Sequence, residues 1–125
     1  MRRVLIVDDE KELAEVVAEQ LAHAGYETGL AFDGVEAVLA VLDISWDIVL
    51  MDVRMPRLDG INALRIIRKL APEVPVIMFS GQVGKADMIE SIRLGAYACL
   101  TKPIVIDDVI KSISLVPGKK IEPII

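Results

Sequence analysis

The sequence predicts an α/β fold, in which a doubly wound parallel sheet carries helices on both faces. Short apolar runs alternate along the chain with longer segments whose apolar residues recur every three or four positions. This alternation of strand and helix patterns is typical of parallel sheets built from right-handed crossovers. Several apolar runs also lack polar alternation and stop at charged or turn residues, as strands buried on both faces do.

Five units of strand and helix follow one another. The first strand is the uniformly apolar run Val-Leu-Ile-Val, and Gly25 ends the helix after it. The second strand contains Glu27 and Thr28, so we expect it at an edge of the sheet. Arg68 and Lys69 suit the negative end of the third helix. The predicted strands are residues 4–7, 26–31, 46–51, 75–79 and 97–100, and the predicted helices are residues 13–24, 35–42, 61–70, 86–92 and 106–113.

The composition indicates one folded domain, which we expect over residues 1–118, with residues 119–125 as a tail or the start of a linker. Hydrophobic residues make up 54% of the 125 residues, which excludes disorder, yet no apolar run approaches the roughly 20 residues of a membrane helix. The net charge of −5 argues against direct binding of nucleic acid. The single cysteine, Cys99, and the lack of an export signal favour a cytoplasmic location.

Charged or hydroxyl side chains follow four of the predicted strands. The carboxyl ends of parallel strands meet at one edge of the sheet, where open α/β proteins bind their ligands. We therefore expect these side chains to form one site. They are Asp8 and Asp9 after the first strand, Asp52 after the third, Ser80 after the fourth and Lys102 after the fifth.

In their order along the chain, these segments resemble the receiver domain of two-component response regulators. The resemblance runs from residue 3 to about residue 115, and its segments are Asp8-Asp9, residues 51–60 (MDVRMPRLDG), Ser80-Gly81, Gly95-Ala96 and residues 100–103 (LTKP). It implies a flavodoxin-like sheet, as in chemotaxis regulators, with strand order 2-1-3-4-5. It also implies a phosphorylatable Asp52, a divalent metal held by Asp8, Asp9, Asp52 and Arg54, and a cis Lys102-Pro103 bond.

The chemistry of the residues supports these roles. Three aspartates brought together repel one another unless a cation neutralises them, so we expect a hard divalent ion. Mg²⁺ is favoured because it takes only one or two protein carboxylates and keeps several waters. Asp52 can then act as a nucleophile that forms an acyl phosphate. Lys102 supplies a positive charge and the Ser80 hydroxyl donates to a phosphoryl oxygen.

The predicted function is a phosphorylation-controlled switch rather than an enzyme, apart from catalysis of its own phosphoryl transfer and dephosphorylation. The resemblance implies a histidine kinase or phosphotransfer protein as the donor. It also implies an output domain or partner protein that contacts the fourth helix, the fifth strand and the fifth helix. No direct contact with nucleic acid or a membrane is expected.

Other interpretations are open at this point. Taken alone, Asp9 suits a helix cap and Ser80 a turn. A flavin-binding electron carrier shares this topology, although Asp8-Asp9-Glu10 would repel a cofactor phosphate. A phosphatase with an aspartate nucleophile would carry its general acid at the position of Arg54. A receiver could also act as a constitutive docking module.

One position departs from the receiver pattern. Cys99 stands three residues before Lys102, where the family usually carries an aromatic residue that turns inward on phosphorylation. Tyr97 shares the side of Cys99 by the alternation of a strand and could substitute, but we expect its ring to be buried as ordinary core. We therefore predict that coupling runs through backbone motion of residues 80–85, where Gly81 and Gly84 permit it.

Overall fold

The computed structural model describes residues 2–81 and 84–117 and contains the predicted α/β architecture. Five strands alternate with five helices, and the predicted tail at residues 119–125 lies outside the described residues. The strands are β1 (Arg3–Val7), β2 (Glu27–Ala31), β3 (Ile48–Asp52), β4 (Val76–Ser80) and β5 (Ala98–Thr101). The helices are α1 (Lys11–His23), α2 (Gly34–Asp43), α3 (Gly60–Leu70), α4 (Gly84–Arg93) and α5 (Ile106–Leu115).

The strands form one parallel sheet in the order β2-β1-β3-β4-β5. This confirms the fold class, the strand order and the edge position of β2. The central strands β3 and β4 are buried along their whole length, because helices cover both faces of the sheet. Their sequences are accordingly almost entirely apolar up to the last residue of each strand, Asp52 and Ser80.

The hydrophobic core lies in two layers, one on each face of the sheet. One layer packs α2 and α3 against the sheet, through residues such as Ala37, Leu64 and Ile67. The other packs α1 and α5, with Leu21 and Ile113 fully buried. Each helix buries one apolar stripe, which is the reason for the three- and four-residue spacing in the sequence. No helix in the described ranges is long and apolar enough to cross a membrane.

The third strand begins later than the pattern predicts. The pattern places the start at residue 46, but β3 begins at Ile48. The Trp46 indole N–H donates to the carbonyl of Ala40 in α2 at 2.9 Å, and its ring lies against Gly29 of the edge strand. The Trp46 side chain thus packs between α2 and β2, and the pairing of β3 with β1 starts only at Ile48. The strand ends at Asp52, one residue beyond the predicted end at residue 51, and the site is built at this end.

Candidate functional site

The site begins with the alignment of the strand ends. Val7 of β1 is paired with Met51 of β3, and Asp52 is paired with Phe79 of β4. Asp8, the residue after β1, therefore lies level with Asp52 on the neighbouring strand. Ser80 pairs with Thr101 of β5, the residue before Lys102. The parallel register thus brings the predicted site residues to one edge of the sheet.

Three carboxylates form the acidic part of the site. Ligand oxygens of Asp8, Asp9 and Asp52 lie within 4.8 Å of one another. Asp8 and Asp52 are buried, with 3% and 6% of their surface exposed, whereas Asp9 faces solvent. Backbone amides hold the two buried groups, since Glu10 N–H donates to Asp8 Oδ1 at 2.9 Å and Arg54 N–H donates to Asp52 Oδ1 at 3.3 Å. Fixed oxygens at this spacing can hold a hard cation between them.

Lys102 is the positive charge at the centre of this cluster. Its Nζ donates to Asp52 Oδ2 at 2.7 Å and lies 3.6 Å from Asp8 Oδ2. Glu10 Oε1 is 3.8 Å away, an additional contact that the sequence analysis did not assign to the site. Burial alone would lower the pKa of Lys102, but the hydrogen bond to Asp52 and the surrounding carboxylates outweigh burial and raise it. The Lys102-Pro103 bond that precedes the next turn is cis, as predicted.

The electrostatics of Asp8 indicate how well the cluster fits a divalent ion. Burial raises the pKa of the Asp8 carboxyl, and the neighbouring Asp52 adds to the rise. The Glu10 amide and Lys102 act in the opposite direction. One lysine therefore does not fully compensate the buried negative charge of the cluster. Carboxylate oxygens with uncompensated charge are the donor set that Mg²⁺ takes in proteins, so the residues present fit this ion.

Ser80 and Arg54 lie at the rim, and within the described part of the chain neither side chain hydrogen-bonds to Asp52. The buried Ser80 hydroxyl has the Gly81 carbonyl at 3.5 Å as its hydrogen-bond partner. The Arg54 guanidinium lies 3.3 Å from Asp87 in the first turn of α4. If Arg54 belongs to the metal site, its backbone carbonyl is the atom that can serve, because a guanidinium only donates hydrogen bonds.

The loop between β3 and α3 is held from two sides. A Cβ atom at Gly60 would lie 2.0 Å from the Asp52 carbonyl oxygen, so a glycine is needed where α3 starts against the end of β3. Asp59 caps α3 by accepting from the Asn62 amide at 2.8 Å. Arg57, at φ 64°, donates through Nε to Asp33 Oδ2 at 2.8 Å. This ion pair joins the loop to the start of α2.

Cys99, which stands where the family usually carries an aromatic residue, lies on β5 beside α4. Cys99 packs at the edge of the core layer that contains α3, and burial raises the pKa of its thiol, with the Ser91 hydroxyl opposing the rise. The expectation that Tyr97 is buried is wrong, since the residue is 44% exposed and its hydroxyl donates to the Leu115 carbonyl at 3.0 Å. An edge strand leaves room for the ring to reach the end of α5. Residues 82–83 of the predicted coupling loop lie outside the described residues, and that coupling stays a prediction.

Comparison with known proteins decides between the open interpretations. The family model for the response regulator receiver domain matches residues 4–114. This chain belongs to the response regulator receiver family. The flavin carrier and the aspartate phosphatase are therefore set aside, and the receiver domain has the role of a signalling switch rather than of an enzyme in the usual sense.

Curated relatives of this receiver domain are transcriptional and regulatory proteins. It is 34% identical over 113 residues to the transcriptional regulatory protein DltR of Streptococcus agalactiae serotype III (strain NEM316), covering 90% of this chain and 50% of that protein. It is 37% identical over 108 residues to the regulatory protein AtoC of Escherichia coli (strain K12), covering 86% of this chain and 23% of AtoC. The chain thus spans half the length of the first relative and about a quarter of the second.

Solved structures share the fold over almost the whole receiver domain. The receiver domain of the Francisella response regulator 1452 superposes with a TM-score of 0.87 at 34% identity, covering 93% of this chain and 96% of that chain. A chain of the CheX-CheY-BeF3-Mg+2 complex from Borrelia burgdorferi has a TM-score of 0.84 at 29% identity, and the match covers 90% of this chain and 86% of that chain.

Proposed function

We propose that this receiver domain accepts a phosphoryl group on Asp52 from a histidine kinase or phosphotransfer protein. The observation that carries the proposal is the contact between Lys102 Nζ and Asp52 Oδ2, 2.7 Å apart, beside the acidic cluster. Asp52 ends a buried central strand, so its carboxylate is held at the edge of the sheet that a donor would approach. Catalysis of phosphoryl transfer depends mainly on positioning and charge neutralisation, and both are available here.

The transfer is a displacement at phosphorus. A carboxylate oxygen of Asp52 bonds to phosphorus, the bond between phosphorus and the donor imidazole nitrogen breaks, and its electron pair stays on that nitrogen, which takes up a proton. The product is an acyl phosphate. Lys102 pairs with the added negative charge, and the Ser80 hydroxyl donates to a phosphoryl oxygen once it turns from Gly81. Attack of water on phosphorus later releases inorganic phosphate and restores the Asp52 carboxylate.

Asp8, Asp9 and Asp52, with the backbone carbonyl of Arg54, are the residues that would hold Mg²⁺. When bound, Mg²⁺ neutralises charge on the phosphoryl oxygens and on the surrounding carboxylates. The support for this assignment is the spacing of the three aspartates and the raised pKa of Asp8. The CheX-CheY-BeF3-Mg+2 complex from Borrelia burgdorferi includes Mg²⁺, which agrees with the assignment.

Phosphorylation would alter the surface formed by α4, β5 and α5, which an output domain or a partner protein then recognises. This surface exposes large apolar side chains, which is typical of a protein interface. They are Ile89, Ile92, Tyr97, Val105 and Leu115. The longer regulatory relatives support an output domain, since the receiver domain accounts for only part of each of them.

Labelling with a small phosphoryl donor tests the proposal. We expect intact-mass measurement after incubation with acetyl phosphate and Mg²⁺ to show one added phosphoryl group on the wild type. Asp52→Asn should show none, because the amide is not a nucleophile of this kind. Asp59→Asn is the matched control, since Asp59 caps α3 and an asparagine keeps that cap.

Two results would contradict the proposal. Equal labelling of the wild type and Asp52→Asn would exclude Asp52 as the acceptor. Labelling that persists in excess chelator would exclude the role of the metal. A wild type that takes no label from either acetyl phosphate or a phosphorylated histidine donor would instead support a constitutive docking module.

A further inference from the structure

An ion pair connects the loop after the acceptor strand directly to α4. The Arg54 guanidinium lies 3.3 Å from Asp87 Oδ2, across 33 residues of sequence. The Arg54 side chain is 75% exposed and that of Asp87 is 22% exposed. Arg54 is two residues from Asp52, and Asp87 lies in the first turn of α4. The pair therefore spans from the acceptor site to the helix at the proposed output surface.

We propose that Arg54 couples the acceptor to α4 by exchanging partners. In the unphosphorylated protein its guanidinium binds Asp87, and after phosphorylation it binds phosphoryl oxygens on Asp52 and releases Asp87. This inference rests on the proposed function. It assigns to Arg54 and Asp87 the contact that differs between the two states, which any ligand-driven change of conformation requires.

The geometry allows the exchange. The Arg54 amide already donates to Asp52 Oδ1 at 3.3 Å, so the residue starts next to the acceptor. Its side chain faces solvent and can swing without disturbing the core. A phosphoryl group carries nearly two negative charges and offers three acceptor oxygens, whereas Asp87 offers one charge. Arginine binds phosphate through two parallel hydrogen bonds, so the phosphoryl group is the stronger partner.

In the part of the chain that the structure describes, few polar contacts hold the first two turns of α4 in place once Arg54 releases Asp87. Asp87 lies near the positive end of the helix, where a carboxylate is favourable without an ion pair. One turn further, the Ser91 hydroxyl is fully buried and makes no hydrogen bond of good geometry among the described residues, its polar neighbour being the Cys99 thiol. Cys99 of β5 offers no ring to hold the helix in place. Release of Asp87 therefore removes a polar contact from a helix whose inner face is incompletely paired.

Binding of beryllium fluoride, a mimic of the phosphoryl group, tests the exchange at saturating Mg²⁺. If Asp87 competes for Arg54, Asp87→Asn should tighten binding of the mimic by up to about fivefold, the size expected for an exposed ion pair. Arg54→Ala should weaken binding, although it keeps the backbone carbonyl at residue 54. The tightening by Asp87→Asn should vanish in the Arg54→Ala background, because Asp87 and the mimic then no longer compete for the Arg54 guanidinium.

Hydrogen exchange of α4 amides gives a second measurement. Without the mimic, both single variants should exchange about two- to fivefold faster in α4 than the wild type. With the mimic bound, the wild type should match them. Glu90→Gln is the control, since it removes a negative charge from α4 whose partner is Arg93 on the same helix, and we expect the affinity for the mimic to be unchanged.

The outcomes separate this inference from the proposed function. A wild type that does not bind the mimic would contradict both. If the wild type binds the mimic through Asp52 but Asp87→Asn leaves the affinity unchanged or lowers it, only the exchange of partners is contradicted. Equal tightening by Asp87→Asn and Glu90→Gln would also contradict it, because the effect would then be general to negative charge on α4.

Discussion

The Lys102 ammonium lies 2.7 Å from the Asp52 carboxylate at the end of the central strand and 3.6 Å from Asp8. The same cation thus contacts both buried carboxylates of the acidic cluster, including Asp52, the proposed acceptor. In the proposed transfer, Lys102 contacts Asp52 before phosphorylation and the phosphoryl group afterwards, so it does not need to enter the site during the reaction. A cation placed in advance in this way would stabilise the developing charge without reorganisation.

Replacement of Lys102 should reduce phosphorylation without removing the acceptor. We expect Lys102→Ala to lower the rate of labelling by acetyl phosphate by about 10- to 1,000-fold, because the neutralising charge is lost. Lys102→Arg should recover only part of the rate, since the planar guanidinium does not place its charge as the ammonium does. A Lys102→Ala protein labelled as fast as the wild type would contradict the role of Lys102.

Mg²⁺ should stabilise the folded protein through Asp8. In the wild type we expect the melting temperature to rise with Mg²⁺ concentration, because the ion binds the folded state preferentially. Asp8→Asn should melt a few degrees higher than the wild type without metal, since it removes a buried charge but keeps an acceptor for the Glu10 amide. It should also lose most of the response to Mg²⁺. An unchanged response in differential scanning fluorimetry would contradict the metal assignment.

Gly60 should tolerate no larger residue. The Cβ of alanine would lie 2.0 Å from the Asp52 carbonyl oxygen, so the acceptor strand or α3 must shift. We expect Gly60→Ala to destabilise the protein by at least about 2 kcal/mol in urea unfolding and to slow labelling of Asp52. At Gly81 a Cβ would meet nothing within 4 Å among the residues that the structure describes, so Gly81→Ala should change stability by less than about 0.5 kcal/mol.

Asp33 should contribute stability that depends on pH. The Glu36 amide and Arg57 hold the pKa of Asp33 below its ordinary value of 3.8. Because the folded state binds this proton more weakly than the unfolded state, the contribution is present above pH 3.8 and is lost as the pH falls through the lower folded pKa. Asp33→Asn keeps the helix cap but removes the charge. We expect it to be less stable than the wild type at pH 7.

A pH series of urea unfolding measures this effect. The difference in unfolding free energy between the wild type and Asp33→Asn should be constant from pH 7 to about pH 5 and should shrink below pH 3.8. Asp33→Ala should lose about a further 1 kcal/mol at every pH, because it removes the cap as well. A difference that does not change with pH would show that the charge of Asp33 is not involved.

Ser91 should be dispensable for stability. Its hydroxyl is buried and, among the residues that the structure describes, makes no hydrogen bond of good geometry, the Cys99 thiol being its polar neighbour, so Ser91→Ala should stabilise the protein by roughly 0.5–1 kcal/mol. The matched control is Ser114→Ala, whose exposed hydroxyl donates to the Lys111 carbonyl at 2.7 Å and should contribute little either way. Destabilisation by Ser91→Ala would mean that the hydroxyl has a partner in solution, with a water or the Cys99 thiol as the candidates.

The sequence by itself determined the fold class and the members of the acidic cluster. Strands buried on both faces leave a continuous apolar pattern, and parallel strands must bring their carboxyl ends to one edge, so Asp8 and Asp52 could be expected to meet before any distance was known. The tight turn at Asp59-Gly60 could also be predicted, because capping is a local interaction between residues close in sequence.

Only the tertiary structure decided the contacts of the long exposed side chains. Arg54 reaches Asp87 across 33 residues and Arg57 reaches Asp33 across 24, and no local pattern predicts which of many surface charges will pair. The orientation of Tyr97 was likewise decided by the free edge of the sheet, which let its hydroxyl reach Leu115 instead of the core. Periodicity determines which face of an element is buried, but partners at its margins depend on how neighbouring elements pack.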